Sequence, residues 1–399
     1  MKNNVVIVYG SGASYASGYS VNIKLLIDNV DKSESFKPPT DQNFFKEIPK
    51  EYIKFRYSAL SRFKDTFYPP MESRSLEKIW TDVDINHKHI TLDTYNWKLE
   101  SEEYLHNLSN NYLSMDLRHE YFDGIFFDTS PRYNKYKYLG DCGRDFRRLI
   151  YDIYSNYTEP NGKDYFRLLH TTLNSSKYSN IAYVTFNYDC YLEQSLADTR
   201  LKYIALNDKT DCYNTLMHAG IPIVKLHGSL SWAEIRNGAI YKIIYNAFPY
   251  SKESQVEPKY KGDKNWLQPA IIPPTILKQE INDDSRLEHD LTKTILQQWR
   301  AAITLLTEAD LIIIVGYSFP LADHHVDRLF RISNLIKKRN IGNPLIGNPP
   351  IVLYCCGPED IIEDKLAVMH DLYGAASEIF VTRQFERLVE SREFQNIIS

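Results

Sequence analysis

The chain has 399 residues and a formal net charge of -4, with 43% hydrophobic and 25% charged residues. This length is enough for two or three domain-sized units with a sizeable core, and the slightly acidic balance gives no general electrostatic reason to expect nucleic-acid binding. The five cysteines are scattered, with Cys355 and Cys356 adjacent and no C-x-x-C pair, which argues against a zinc ribbon and a disulfide framework.

No apolar run reaches the roughly 18 residues of a membrane-spanning helix, so we expect no membrane span. The N-terminus leads directly into an apolar run at Val5, without the features of a signal peptide. We therefore expect a cytoplasmic protein. Its 30 tyrosines are an unusual number and are typical of packing residues with a polar tip or of contacts between subunits.

The first elements are predicted from a strand-and-turn sequence close to the N-terminus. Val5–Tyr9 is a β-branched run that indicates a buried parallel strand. Gly10 and Gly12 follow, and they allow a sharp turn and a close approach of the backbone to a ligand. We expect a helix over Tyr15–Asn29. This layout is that of a dinucleotide site at the first crossover of a Rossmann-like sheet, although the glycine spacing departs from G-x-G-x-x-G; an ordinary strand-to-helix turn is the alternative.

A change in composition after the first helix predicts an inserted domain. Residues 31–163 are rich in Tyr, Phe, Asn and charged residues and lack strong β-branched runs. Leu76–Val83 and Tyr104–Leu117 have helix-like apolar spacing. We therefore predict a mostly helical insertion at 31–163, within a sheet domain formed by 1–30 and 164–399. The insertion is predicted either as a surface for oligomerisation or partner binding, or as a lid over a pocket.

Alternating strand and helix signals resume near residue 164. They predict an α/β fold with a Rossmann-like, doubly wound, mainly parallel sheet. The predicted helices are Tyr165–Asn174, 188–197, Leu287–Thr307 and Val326–Lys338; the predicted strands are Ile181–Thr185, Ile223–Leu226, Ala239–Tyr245, Leu311–Val315 and Ile351–Cys355. Ser251–Gln268 is predicted to be a loop, and the C-terminal part to form a helix, a short strand at Ile379–Val381 and a closing helix.

Polar or small residues follow four of the predicted strands. The clusters are Gly10–Ser14, Asn187–Asp189, His227–Ser229 and Gly316–Ser318. Ligands of doubly wound sheets bind beyond the carboxyl ends of the strands, at the switch point of the strand order. Four such clusters at four strand ends are improbable by chance, so we predict a ligand site at this edge of the sheet.

The same four strand ends resemble motifs of the sirtuin superfamily, the silent-information-regulator-two-like domains. The G-S-G-A-S-Y-A-S-G of residues 10–18 is close to the family's glycine turn followed by S-x-x-S-G. Thr185–Asp189 looks like the family's T-x-N-Y/I-D, and Lys225–Ser229 looks like its K-L-H-G-S. Asp310–Phe319, with Asp323 after it, looks like the fourth element. The order and spacing agree from the first strand to about residue 331.

Two departures distinguish this chain from the deacylating members of that superfamily. Those members continue S-G-I-P with Asp-Phe-Arg, whereas here Gly18 is followed by Tyr19–Asn22. They also carry a four-cysteine zinc module, which this sequence lacks. The longer form with N-Y-D and G-Y-S-F-P looks like bacterial members that consume NAD during antiphage defence. The resemblance therefore implies an NAD+ glycohydrolase, which cleaves NAD+ to nicotinamide and ADP-ribose.

The resemblance also implies roles for individual residues. Asn187 would orient the ribose and the attacking water, and His227 would bind a ribose hydroxyl and act as general base. Asp189 would fix either the nicotinamide end or the loop geometry. The remaining expected NAD-binding residues are those of the glycine turn and of the other strand ends: Gly10, Gly12, Ala13 and Ser14 around the pyrophosphate, Gly316, Ser318 and Asp323 towards the adenosine, and Ser17, Thr185 and Gly228.

Structural alternatives exist for several of these residues. Asn187 would suit the N-cap of the next helix, and Asp323 that of the helix over Val326–Lys338. His227 could be a hydrogen-bonded structural residue. His324 and His325 invite a metal site, but adjacent side chains on a helix do not converge, so we expect no metal.

The partners implied by the resemblance are NAD+ as substrate, further copies of the chain in a homo-oligomer, and a HerA-type ATPase or an Argonaute-type protein. Two other functions stay open at this point. One is a non-catalytic NAD or ADP-ribose sensing subunit of a larger defence complex. The other, ranked last because the sequence shows no paired carboxylates at metal-site spacing, is a nuclease.

Overall fold

The structure is a computed structural model. It describes residues 3–27, 30–57, 60–61, 76, 79, 146, 148–205, 208–218, 220–237, 240–244, 265–271, 290–319, 324–339, 348–357, 360–374 and 377–399. Within these residues no helix is both long and apolar enough to cross a bilayer.

A seven-stranded parallel sheet forms the centre of the fold, which confirms the predicted α/β class. Its strand order is β13-β12-β11-β1-β5-β7-β6, and every neighbouring pair is parallel. The strands are β1 (Asn4–Tyr9), β5 (Asn180–Thr185), β6 (Leu201–Tyr203), β7 (Ile221–Lys225), β11 (Leu311–Val315), β12 (Ile351–Cys356) and β13 (Ile379–Arg383); β2, β3, β4, β8, β9 and β10 (Ser20–Ile27, Val30–Phe36, Tyr157–Thr158, Gly228–Asn237, Ile240–Ile244 and Asn265–Ile271) form two smaller sheets.

Helices cover both faces of the parallel sheet. They are α1 (Ser11–Ala16), α2 (Phe44–Glu47), α3 (Lys50–Arg56), α4 (Tyr165–Asn174), α5 (Tyr191–Ser195), α6 (Tyr213–Met217), α7 (Asp290–Glu308), α8 (His324–Arg339), α9 (Ile362–Tyr373), α10 (Phe385–Leu388) and α11 (Arg392–Ile398); residues 148–155 are helical as well. The predicted helix Tyr165–Asn174 and the predicted strand Leu311–Val315 are confirmed to the residue.

Alternation along β1 explains the two layers of helices. Val6 and Val8 pack on one face, in the core cluster that contains α7, α8 and α9. Val5 and Ile7 pack on the other face, with α4, α10 and α11. Since successive side chains of a strand point to opposite faces, an uninterrupted apolar run is what a sheet buried on both faces requires.

The predicted helix over Tyr15–Asn29 is wrong. Helix α1 ends at Ala16, and the chain then forms β2, which pairs antiparallel with β3. Two features explain the difference. Gly18 has a φ of 93°, a left-handed conformation that ends the helix. Beyond it, Val21 and Ile23 are buried while Lys24 is exposed, which is the two-residue period of a strand.

Two small antiparallel sheets flank the parallel one. Strand β2 pairs with β3 and also with β4, and β8 pairs with both β9 and β10. The predicted hairpin strand over Ala239–Tyr245 corresponds to β9. The predicted loop over Ser251–Gln268 is wrong at its end, because Asn265–Ile271 forms β10. The register shifts next to Pro269, where a ring without an N–H interrupts regular pairing.

The described part of the predicted insertion packs as a separate apolar cluster. Phe44, Tyr52 and Ile53 are buried with Leu76, Ile79 and the helical residues Phe146, Leu149, Ile150 and Ile153. Of the predicted helix Leu76–Val83, only residues 76 and 79 are described, and both are helical. The predicted helix Tyr104–Leu117 lies outside the described residues. The domain boundaries at residues 30 and 164 stay a prediction.

The switch point of the sheet lies between β1 and β11. From β1 the chain continues to β5 on one side, whereas β11, β12 and β13 extend the sheet on the other side. A crevice forms outside the carboxyl ends of two such strands, because their connections diverge. The strand order therefore places a crevice directly after Tyr9 and Val315.

Candidate functional site

Glycines from β1 and β11 meet at this crevice with backbone against backbone. A Cβ atom on Gly10 would lie 2.5 Å from the carbonyl oxygen of Gly316 and 2.6 Å from Cα of Tyr317. A Cβ atom on Gly316, whose φ is 63°, would lie 2.2 Å from the amide nitrogen of Ala13. Neither turn tolerates a side chain, so the glycines are needed for this close approach.

The amide groups of the first turn donate within the protein. The N–H of Gly10 donates to Val315 O (3.0 Å), that of Gly12 to Gly316 O (2.9 Å), and that of Ala13 to Gly10 O (3.0 Å). These are the amides assigned to the pyrophosphate from the sequence. In this structure they instead fix the turn, and the groups that the turn presents to the crevice include the side chains of Ser11 and Ser14.

The side chain of Asn187 is fixed by the glycine turn. Its Nδ2 donates to the main-chain oxygen of Gly10 and to Oγ of Ser14, both at 2.9 Å. Its main-chain N–H donates to Oγ1 of Thr185 at 3.0 Å. Because both amide hydrogens are engaged, Oδ1 is the polar atom left to a bound molecule. The alternative of Asn187 as a helix cap is wrong, since α5 begins at Tyr191 and its N-cap is Cys190.

Asp189 completes this hydrogen-bonded group. Its Oδ2 accepts from Oγ of Ser14 at 2.7 Å, and its Oδ1 accepts from the N–H of Tyr191 at 3.2 Å. Burial raises the pKa of Asp189, and the charge of Lys225 together with the Ser14 hydrogen bond opposes that rise. Since both carboxylate oxygens accept from the protein, the geometry favours the loop-fixing role of Asp189 over direct contact with a ligand.

His227 lies at a corner between two strands of different sheets. One residue, Leu226, separates it from the end of β7, and Gly228 begins β8 with a φ of 81°. A Cβ atom on Gly228 would lie 2.1 Å from Ala270 O, so this turn also requires glycine. The imidazole is 6% exposed and meets the ring of Phe186 edge to face, with 5.6 Å between centroids. The corner therefore holds the imidazole beside the loop that carries Asn187.

These residues open into one cavity of about 590 Å³, a size typical of small-molecule and cofactor sites. One end, the near end, is formed by Asn187, Asp189 and His227 after β5 and β7. The other, the far end, is formed by residues after β12, among them Gly357, Asp360 and Lys365. The contact of Gly10 and Gly12 with Gly316, here called the glycine junction, lies between the two ends, because β1 and β11 lie between β5 and β12 in the sheet.

Most of the predicted site residues face this cavity. Those that line it are Gly12, Ser14, Asn187, Asp189, His227, Gly316 and Ser318. Others contact the lining residues without lining the cavity themselves. Gly10 and Thr185 accept the hydrogen bonds from Asn187, and Ser17 donates to the main-chain oxygen of Ser14 at 2.7 Å. Ala13 and Gly228 lie at close backbone contacts, Ala13 with Gly316 and Gly228 with Ala270. Asp323 lies outside the described residues.

Several cavity residues were missed from the sequence. From the insertion come residues 39–42 and Tyr154, whose hydroxyl donates to Pro39 O at 2.8 Å. At the far end, Lys365 pairs with Asp360 at 3.3 Å. Phe319 lines the cavity with a φ of 54°, an uncommon conformation for an aromatic residue. Asp360 shortly after β12 carried a usable signal, since it follows a strand end as the four recognised clusters do.

No group of three or more His, Cys, Asp or Glu side chains that could hold a metal ion occurs among the described residues. The side chains of His324 and His325 lie outside that description. The described near end instead offers an amide oxygen, an imidazole and a buried carboxylate. Such a set can hold a water molecule and take up a proton.

Comparisons with known proteins give limited similarity. No protein-family model matches the chain, and no curated protein matches it. A solved structure of a mutant Sir2 homologue with ADP-ribose is similar over 70% of this chain and 87% of its own, with 13% identity and a TM-score of 0.34. A second, on the structural basis of sirtuin substrate affinity, is similar over 52% and 67%, with 15% identity and a TM-score of 0.26. Similarity at this level assigns neither a family nor an activity.

Proposed function

We propose that the protein is an NAD+ glycohydrolase that releases nicotinamide and ADP-ribose. The observation that carries the proposal is the fixed carboxamide of Asn187, whose Nδ2 bonds leave Oδ1 for a bound molecule at a cavity that His227 also lines. The four motifs at these strand ends, with their sirtuin-like order and spacing, support the same reading. They also favour NAD+ over an unrelated ligand.

In this proposal the near end performs the chemistry. The bond between nicotinamide nitrogen and ribose C1′ breaks with both electrons leaving on nicotinamide, and the sugar becomes oxocarbenium-like, as in glycoside hydrolysis. Oδ1 of Asn187 accepts a hydrogen bond from the attacking water, whose oxygen bonds to C1′. The imidazole of His227 accepts the proton that the water loses. Water and NAD+ therefore give nicotinamide, ADP-ribose and one proton.

The rest of the cavity would hold the dinucleotide. The glycine junction lets the pyrophosphate approach the backbone closely, with the hydroxyl groups of Ser11 and Ser318 as donors. The far end would take the adenosine half, where Lys365 supplies positive charge. No bound metal is needed for this division of roles.

The proposal is tested by incubating the purified protein with NAD+ and separating the products by chromatography. We expect nicotinamide and ADP-ribose in equal amounts, and we expect Asn187→Ala or His227→Ala to lower kcat by about 10²- to 10³-fold. Asn174→Ala, at an exposed asparagine that ends α4, is the matched control and should behave as the wild type. Full activity in both site variants would contradict the assignment.

We further propose, from the motif resemblance alone, that this activity serves antiphage defence and depends on assembly. The expected assembly is a homo-oligomer or a complex with an ATPase or an Argonaute-type protein. Incubations with NAD+ should therefore be repeated with the products of neighbouring genes and after phage infection. Saturable NAD+ binding without turnover under all these conditions would point to a sensing subunit instead.

A further inference from the structure

A buried ion pair lies directly behind the near end of the cavity. Nζ of Lys225, the last residue of β7, donates to Oε1 of Glu193 at 2.9 Å and to the main-chain oxygen of Asp189 at 2.5 Å. The two charged side chains are 0% and 3% exposed. Neither residue lines the cavity, and neither has a part in the proposed chemistry.

The ammonium of Lys225 is charged in this position. Burial on its own lowers the pKa of Lys225, but the neighbouring acidic groups, Glu193 first among them, together with the hydrogen bond to Glu193 outweigh burial, and the pKa lies above its ordinary value. The contrast is Lys337, which is similarly buried at 2% exposure and donates to the main-chain oxygen of Ala309. There, burial lowers the pKa to about 8.

Stability alone is a poor reason to keep such a pair. Removing two charges from water costs several kcal/mol for each ion, and well-packed apolar residues in place of a buried pair are often neutral or stabilising. What Lys225 supplies and an apolar residue cannot is a directed bond. It joins three elements, namely its own strand β7, the helix α5 that carries Glu193, and the loop at Asp189.

The anchored loop is the one that presents the near end. Its other main-chain anchors are the bond from Phe186 N–H to Tyr9 O and the bond from Leu230 N–H to Tyr188 O, both at 3.0 Å. Lys225 therefore anchors the main chain at Asp189, between Tyr188 and α5. The side chain of Asp189 in turn holds Ser14.

A continuous chain of contacts runs from the ion pair to the cavity. The same Oε1 of Glu193 accepts a second bond, from the hydroxyl of Tyr203 at 2.9 Å. From Lys225 the chain continues through Asp189 and Ser14 to Nδ2 of Asn187. A shift of the Asp189 main chain would move the acceptor of Ser14 and release the carboxamide of Asn187, which lines the cavity.

We propose that Lys225 and Glu193 are positioning residues, which lock the Asn187–Asp189 loop so that the carboxamide of Asn187 is held ready for the reaction. The catalytic consequence rests on the proposed function, whereas the locking of the loop does not. The two parts can therefore be tested separately.

The test compares the double variant Lys225→Met/Glu193→Gln with the wild type and with Lys337→Met. The double variant is chosen because Lys225→Met alone leaves a buried carboxylate unpaired, which strongly destabilises a fold. Lys337→Met removes an equally buried lysine far along the chain from the near end. The two readouts are hydrogen exchange of residues 185–191, measured by mass spectrometry, and kcat and KM for NAD+ hydrolysis.

We expect the double variant to fold, to exchange the amides of residues 185–191 at least tenfold faster, and to lose about 10- to 100-fold in kcat with KM changed less than threefold. Lys337→Met should change none of these. Unchanged exchange in the double variant would overturn the proposal whatever the activity. Faster exchange with unchanged kcat would overturn its catalytic part. A wild type that never hydrolyses NAD+ would overturn the proposed function, and the exchange result would still decide whether the loop is locked.

Discussion

The two ends of the cavity are built in different ways. At the near end, Asn187, Asp189 and His227 are each less than a tenth exposed, and buried hydrogen bonds fix the side chains of Asn187 and Asp189. At the far end, the side chains of Asp360 and Lys365 are 31% and 18% exposed, and their ion pair spans 3.3 Å. One end excludes water from its polar groups, whereas the other keeps them in partial contact with it.

Under the proposed function, this difference would separate reaction from recognition. Preorganised groups in a low-dielectric site interact strongly with developing charge and need no rearrangement. Partly exposed charges interact weakly, typically by 1 kcal/mol or less. We therefore expect substitutions at the near end to change kcat, and substitutions at the far end to change KM.

The glycine junction should show the largest effect on stability. We expect Gly10→Ala to lower the free energy of unfolding by about 3 kcal/mol, because its Cβ would lie 2.5 Å from a backbone oxygen that cannot move aside. Gly357→Ala at the far end is the control: its Cβ would lie 3.2 Å from a carboxylate oxygen of Asp360, a movable side chain. Denaturant unfolding measures the free energy of unfolding of both variants. Equal losses in the two would contradict the difference expected between the glycine junction and the far end.

At the near end, Ser14→Ala should lower kcat by about tenfold to hundredfold, because it removes the partner of Asn187 Nδ2 and of the buried Asp189 carboxylate. A buried polar group left without its partner costs about 1–3 kcal/mol. Steady-state kinetics with NAD+ provide the measurement. Ser11→Ala, at the neighbouring serine of the same turn, should have the smaller effect on kcat; a reversed order would contradict the role of Ser14.

At the far end, Lys365→Ala should raise KM by about three- to tenfold and leave kcat within twofold, because a partly exposed cation contributes about 1 kcal/mol to binding. The effect should shrink at high salt, since exposed charges are screened. Titrations of NAD+ at two ionic strengths test this. A loss in kcat that exceeds the change in KM would place the far end in the chemistry.

The pH profile should show the smallest effect. Burial raises the pKa of Asp189, while the Ser14 hydrogen bond lowers it. Protonated Asp189 cannot accept from Ser14 as before, so activity should fall as the pH drops through this raised pKa. Ser14→Ala removes a lowering interaction, so it should move the acid limb of kcat to higher pH. An acid limb that does not move would show that it reports the titration of a group other than Asp189.

The strands were predictable because burial on both faces leaves a simple pattern. Leu311–Val315 is apolar throughout, so sequence and structure agree there. The strand after Gly18 was not predictable, because its apolar residues suit either a helix or a strand, and the choice depends on pairing with Val30–Phe36. Strand β10 was missed for the same reason: it owes its conformation to pairing with the distant β8.

The candidate site was predictable where it lies at strand ends and unpredictable where it depends on packing. Asn187 and His227 each lie two positions after the last residue of a strand, so the parallel order brings them to one edge of the sheet. Tyr154 reaches the same cavity through the packing of the insertion against the sheet, which no local pattern records. The internal bonding of the Gly12 amide likewise depends on Gly316, about three hundred positions away.

The small sheet of β2, β3 and β4 has an evolutionary consequence. Its strand β2 lies where the chain leaves the parallel sheet after β1, and its strand β4 lies where the chain returns before β5. The two strands pair, and Asn22 is bonded to Thr158 across 136 positions. With the base closed in this way, doubling the length of the enclosed segment would add only about 0.6 kcal/mol of closure entropy. Closure therefore sets little limit on the length of the enclosed segment, which would let the same strand ends be combined with different inserted segments.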